Sequence, residues 1–381
     1  MGTHPSNPSK DLSTGRSLLH LIQTNQALLS FSVHAQYGPN LPFLFKVLSI
    51  RKALSIQAHP DKKLAERLHD EDPKNYPDDN HKPEMAIAIT EFDGFCGFRP
   101  LGEISTFLEG VGALRVLVGE DAAEAFTSAI QGKETSDKEQ DIESNKAALR
   151  ALYAKIMTTP EDHLTKCAQG LVQAAETHPE SFPAVGGESA KSLAELLLRL
   201  NSQFPDDVGL FCTFVLNYVR LSPGEAMFLR ANEPHAYLSG DIMECMASSD
   251  NVVRAGFTPK FKDVKNLIDM LTYTYAPPSE QKMVPTRYPG TNHSILYDPP
   301  IDEFSVLKTE LGGRQEETVP GIDGPSILIV ERGGGKIQVG PKTEELQQGW
   351  VFFVGATALV KLVAGEEGLA VYRAFCEVSK L

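Results

Sequence analysis

The chain has 381 residues, 41% of them hydrophobic, enough to bury a large core spread over two or three domains. A formal charge of −14 argues against nucleic acid, which needs a basic face. Five scattered cysteines (Cys96, Cys167, Cys212, Cys245, Cys376) in no paired spacing argue against a disulfide framework or a thiolate zinc site, and for a reducing compartment.

The first residues lack the basic start and apolar run of a secretory signal, and no apolar stretch is long enough to cross a membrane. We therefore expect a cytoplasmic, monomeric protein with no membrane partner. Residues 1–40 are polar, with one short amphipathic helix suggested by Leu18, Leu19, Leu21, Ile22, Leu28 and Leu29. A dense apolar strand follows at 42–50. In residues 54–61 apolar and polar residues alternate as in a half-buried strand, so Ser55, Gln57 and His59 share one face. A polar connection over 70–81 leads to strands at 85–90 and 94–98. From about 104 to 200 the pattern is helical, with Leu193, Leu196, Leu197 and Leu200 at helical spacing and a charged, loosely held link at 132–145. Strand character returns at 208–221, a turn and strand occupy 223–229, and a short helix is expected at 264–271. Residues 277–279 and 285–292 form an exposed connection. Short strands then alternate with turns at 304–310, 326–331, 336–339, 350–354, 358–362 and 369–374. Gly333, Gly334, Gly335 and Gly349 suit tight turns, a pattern that favours a sandwich or small barrel.

Chemistry concentrates at two places. Gln57, His59, Glu84 and His235 come from four strand ends or turns and form an N/O donor set suited to zinc. The set lacks a thiolate and leaves a coordination position free, as catalytic sites do. The competing reading is a satisfied internal hydrogen-bond network. The second place is 240–256, which packs Glu244, Asp250, Asn251 and Arg254 together, followed by Lys260 and Lys262. Arg254, Lys260 and Lys82 are candidates to meet an anionic substrate, the alternative being salt bridges to neighbouring carboxylates.

Four motifs carry a resemblance: Ser-Ile-Gln-Ala-His-Pro-Asp-Lys, Asn-His-Lys-Pro-Glu-Met-Ala-Ile-Ala, Pro-His-Ala-Tyr-Leu-Ser-Gly-Asp, and the run from Glu244 to Lys260. In that order they resemble type I phosphomannose isomerases over nearly the whole chain. The resemblance implies a mainly β fold with two cupin-like β-barrel domains and an α-helical insertion. The catalytic domain would comprise residues 1–100 and 206–276, the helical insertion 101–205 and the C-terminal domain 277–381. It implies one Zn2+ on Gln57, His59, Glu84 and His235, and Arg254 as a catalytic residue. Ser55, Lys82 and Lys260 would hold a sugar phosphate, with Tyr237, Glu244 and Asp250 lining the pocket. In the family, Met-Gly-Thr-His-Pro lies after an N-terminal segment of several tens of residues. Here it opens the chain, and a truncation of that kind is expected to leave a sheet edge unpaired.

The implied reaction interconverts mannose 6-phosphate and fructose 6-phosphate, feeding GDP-mannose synthesis. It needs a base for the C2 proton, for which Glu244 and Asp250 are best placed in sequence, with a metal-bound hydroxide as a third option. Two other readings use the same residues: a truncated cupin that binds metal or sugar phosphate without turnover, and a metal-dependent oxygenase. The cations Lys82, Arg254 and Lys260 favour a phosphorylated substrate over the latter.

Overall fold

A computed structural model describes residues 1–378 of the chain. Its organising element is the 13-residue strand His235–Ala247. The apolar strand Phe43–Ile50 pairs antiparallel with its second half, from Phe43 opposite Ala247 to Ile50 opposite Gly240. Glu84–Ala88 pairs on the other side of that half, while the first half pairs with Phe92–Phe98. The change of partner falls at Gly240, where φ is +108° and a Cβ would lie 2.5 Å from the Glu91 carbonyl oxygen. Only glycine tolerates both conditions. Ile56–Ala58, Val253–Gly256, Leu216–Leu221, Ala226–Leu229 and Lys282–Met283 complete a nine-stranded sheet.

Between this sheet's strands runs a helical segment comprising Leu101–Gly110, Gly112–Val118, Glu120–Ile130, Glu139–Met157, Glu161–Thr177 and Ala190–Gln203. Its apolar faces share one core with Ile56, Ala58, Ala236, Leu238, Val253 and Ala255. Side chains on a strand alternate between faces. Burying these six residues against the helices therefore sends their neighbours Gln57, His235, Tyr237 and Arg254 to the opposite face, where the candidate site lies. A second, eight-stranded sheet follows, built on the long strands Ser326–Val339 and Val360–Phe375. The two sheets meet through an apolar cluster that joins Phe43, Phe45 and Met243 to Tyr297, Ile329 and Tyr372. The N-terminal helices Leu18–Thr24 and Phe31–Tyr37 add Ile22 and Val33 to it.

Several local expectations are corrected. The strand at 54–61 is shorter, Ile56–Ala58; Pro60 has no N–H to continue a ladder, and Asp61 instead caps the helix Lys62–Glu71 by accepting from the Leu64 N–H. The segment 132–145 is not a loose link throughout, because a helix starts at Glu139 and Asn145 is fully buried, donating to the Lys133 carbonyl and the Tyr275 hydroxyl. The strand expected from 208 begins at Leu216, after the short helix Gly209–Cys212. Gly333–Gly335 make no turn. They lie inside Ser326–Val339, where the pairing register shifts between Val330 and Arg332 and again between Gly333 and Gly335. Glycine there serves as a bulge residue. Residues 360–362 of the first expected strand and the whole of 369–374 likewise belong to the single strand Val360–Phe375.

Candidate metal centre

Three adjacent strands bring Gln57 opposite His235 on one side and opposite Arg254 on the other. Directly opposed residues of antiparallel strands project to the same face, so the three side chains share it. His59 follows one residue after its strand, on a loop clipped to the turn that precedes His235–Ala247. Asn232, in the left-handed region at φ +60°, donates its N–H to the His59 carbonyl at 2.8 Å. Its side chain exchanges two hydrogen bonds with Asp61, at 3.0 and 2.7 Å. Glu84 opens the strand Glu84–Ala88.

His59, Glu84 and His235 are all buried, and their donor atoms lie within 4.8 Å of one another. The Glu84 carboxylate spans the two imidazoles, with Oε1 3.2 Å from His59 Nε2 and Oε2 3.6 Å from His235 Nε2. Ligands on a tetrahedral zinc with bonds of about 2.1 Å are ~3.4 Å apart, so the spacing suits that ion. The tautomer of His59 suits it too: Nδ1 lies 2.7 Å from the Asn251 carbonyl, which can only accept, so the proton sits on Nδ1 and Nε2 keeps its lone pair. Gln57 turns its amide toward both rings, with Nε2 3.4 Å from His59 Nε2 and 3.5 Å from His235 Nε2. A half-turn of the amide presents Oε1 instead. The Ser55 hydroxyl, 3.2 Å from Oε1, can donate or accept and satisfies either orientation.

The electrostatics follow from burial. Desolvation pushes the His59 imidazole down to about 4, so it is neutral at pH 7, the form a metal needs. Burial alone would raise the Glu84 carboxyl, but the Lys82 ammonium at 3.2 Å holds it well below the usual carboxylate range. The buried Tyr237 hydroxyl stays protonated and donates to Glu84 Oε2 at 3.1 Å. Glu244 is also buried. Burial, then the Glu84 charge, push its carboxyl upward, and the Lys46 ammonium 2.6 Å away offsets part of this.

The remaining candidates divide. Lys82 and Ser55 stand at the cluster, as described. Arg254 is half-buried and has no ion-pair partner among the described residues. Lys260 is exposed, beyond the end of its strand. Asp250 is not brought to the centre. Its N–H is bound by Asp78 Oδ2 at 2.7 Å, and its carboxylate is exposed and pairs with His4 Nε2 at 3.1 Å. Both line a cavity of about 1150 Å3 that includes none of His59, Glu84 and His235. Lys46 was missed by sequence reasoning. Its signal was a lone cation inside the apolar run that forms Phe43–Ile50.

Fold and centre together define a curled-β protein with an inserted helical segment and a buried imidazole–carboxylate cluster of cation-binding geometry. Three family profiles match the chain: phosphomannose isomerase type I catalytic domain over residues 1–101, its helical insertion domain over 117–216, and its C-terminal domain over 294–342. Mannose-6-phosphate isomerase from Aspergillus fumigatus is 56% identical over 397 residues, covering 100% of this chain and 87% of that protein. The Saccharomyces cerevisiae protein of the same name is 50% identical over 388 residues, covering 99% and 88%. A crystal structure of mannose 6-phosphate isomerase bound with zinc and yttrium superposes with a TM-score of 0.83 at 28% identity, covering 99% of this chain and 90% of that one. Mutant structures of phosphomannose isomerase from Salmonella typhimurium match equally well. The chain belongs to the type I phosphomannose isomerase family and is an enzyme.

Proposed function

We propose that this chain interconverts mannose 6-phosphate and fructose 6-phosphate with one zinc ion held by Gln57, His59, Glu84 and His235. The observation that carries the reading is the convergence of His59, Glu84 and His235 in a chain 56% identical to a mannose-6-phosphate isomerase. When bound, zinc supplies Lewis acidity toward the sugar's carbonyl and hydroxyl oxygens. The protein's own groups do the rest. Glu244 is the proposed base: its carboxylate takes the proton from C2 and returns it to C1, while the hydroxyl proton passes from O2 to O1. Its upward shift brings it nearer to the working pH, as a general base requires. The exposed Asp250 does not share this role. Arg254, without an ion-pair partner among the described residues and beside Gln57, faces the developing negative charge or the phosphate. Lys82, Lys260 and Ser55 complete the grip on the substrate, and Tyr237 orients Glu84.

In the same proposal both β units are of cupin type, the catalytic one from 1–100 and 206–276 and the other from 277 onward, with 101–205 inserted. Five free, buried cysteines support a cytoplasmic setting, and no described helix is long and apolar enough to cross a membrane. The product would enter GDP-mannose synthesis in the cell. A coupled assay with mannose 6-phosphate, before and after chelation and after zinc is restored, tests the reading. Activity lost on chelation and regained with zinc is expected; no interconversion by the zinc-restored protein refutes it. His59→Ala is expected to lose zinc and activity together, and zinc retained at parental affinity in that variant would break the ligand assignment.

A further inference from the structure

The carbonyl that fixes the His59 tautomer belongs to Asn251, and little in Asn251 is free to move. The residue is fully buried, its N–H donates to the Ser249 hydroxyl at 3.1 Å, and its Nδ2 donates to the Asp78 and Asn80 carbonyls at 2.7 and 2.9 Å. Beside these bonds to main-chain carbonyls, a second set of contacts to the same loop centres on one carboxylate. Asp78 Oδ1 accepts from the Ser249 hydroxyl at 2.7 Å and from Asn251 Nδ2 at 3.2 Å, and Asp78 Oδ2 accepts from the Asp250 N–H at 2.7 Å. Three consecutive residues of one loop are thus tied to a single side chain about 170 positions away in the chain. Asp78 touches none of the candidate metal ligands. It acts through the loop, whose carbonyl must meet His59 Nδ1.

We propose that Asp78 is a positioning residue for the metal: it clamps residues 249–251 so that the Asn251 carbonyl holds His59 Nε2 toward Glu84 and His235. The proposal rests on the metal reading above. A charged acceptor is the suitable hub, because ionised groups make the stronger hydrogen bonds and a carboxylate offers acceptor sites only. If the loop relaxes, the imidazole gains the freedom to rotate or to change tautomer. Partners of this kind contribute to metal affinity although they never meet the ion.

The test is zinc affinity, measured by chelator competition on the full chain and its variants, alongside activity at limiting and saturating zinc. Asp78→Asn keeps the shape but replaces one acceptor oxygen with a donor, and is expected to weaken zinc binding about 10–100-fold. Saturating zinc should restore kcat to near the parental value. Asp79→Asn, at the exposed neighbouring position, is expected to bind zinc as the parent does. Should Asp78→Asn fail to fold, Ser249→Ala removes one donor from the clamp and is expected to lose several-fold in affinity. Zinc affinity within twofold of the parent in the folded variant overturns the proposal, as does activity that saturating zinc fails to restore. A lowered melting temperature of the chelated protein with unchanged zinc affinity would mark a merely structural role and overturns it too. If the parent itself holds no zinc, the metal reading fails; if the parent binds and Asp78→Asn binds equally well, only the clamp fails.

Discussion

Replacing Lys46 with Met separates the proposed base from the groups that tune it. Lys46 lies directly opposite Glu244 in the sheet, with Nζ 2.6 Å from Oε2. A bare pair at that distance would attract by about 6 kcal/mol at an effective dielectric of 20. The Lys46 side chain, however, is 38% exposed, so water screens much of this. A close opposite charge lowers a carboxyl's pKa, and screening weakens that effect here without removing it. Removing the ammonium leaves Glu244 buried beside Glu84 without its counterion, and a carboxylate so placed gains its charge only at higher pH. The acid limb of the kcat/KM–pH profile should therefore move to higher pH. Met preserves the stem and its packing, so activity should recover toward the parental plateau at alkaline pH. Glu244→Gln, in contrast, should be depressed by at least about 100-fold at every pH. An unmoved acid limb in Lys46→Met refutes the assignment of Glu244 as the base. A uniform loss across the pH range would place Lys46 on the substrate instead.

Acid should destabilise the metal-free protein through His59. Its folded-state value of about 4 lies below the ordinary 6.5, so the unfolded chain binds more protons between those limits. Stability is then complete above about pH 6.5 and falls as the pH drops toward 4, by on the order of 3 kcal/mol from this residue. Glu244, raised on folding, opposes the trend with the reverse sign, and Glu84, lowered, reinforces it below the ordinary carboxylate range. Denaturant titrations of chelated protein from pH 7 to 4 check this, and a flat profile would contradict it. Phe98→Ala should cost about 3–5 kcal/mol in the same titrations, because Phe98 is 1% exposed and packs on Tyr153 and Tyr273 with ring centroids at 5.3 Å, locking sheet to helices. Arg373→Met should leave the melting temperature unchanged or raise it. Its buried guanidinium is pushed down to about 10 by desolvation, and among the described residues only Nε finds a partner, the Ser326 hydroxyl, so an apolar chain of similar length removes an uncompensated cost.

Residues governed by local pattern were readable in the sequence. The alternation around Gln57 named the face it occupies, and the long apolar strands and helical insertion followed from periodicity. Alternation also misled, because it carried the strand through Pro60, where a missing N–H ends it. Glycine misled in the C-terminal sheet, since the same freedom that makes Gly a turn residue lets Gly333 and Gly335 bend a continuous strand. Long-range contacts left the least trace. Asp78 sits in a stretch of Pro, Asp and Asn that reads as connection, and its partners lie about 170 residues downstream. Asp250 read as a pocket carboxylate through the resemblance carried by the run from Glu244 to Lys260, yet its side chain turns outward to His4.

An acidic chain can still receive an anion if its charges are sorted by depth, and this centre sorts them. Inside, the carboxylates Glu84 and Glu244 are matched by the ammonium groups of Lys82 and Lys46 at 3.2 and 2.6 Å. These pairs leave the buried site close to neutral. Arg254, half-buried without an ion-pair partner among the described residues, and a divalent cation on the imidazoles would then be the uncompensated charges, both positive and both beside Gln57. The proposed sugar phosphate would bring the compensating negative charge. The chain's net −14 is carried largely by exposed groups that water and salt screen within about 8–10 Å. Attraction at the site is thus governed by Arg254 and the bound cation, and changing surface carboxylates should alter substrate affinity far less than changing Arg254.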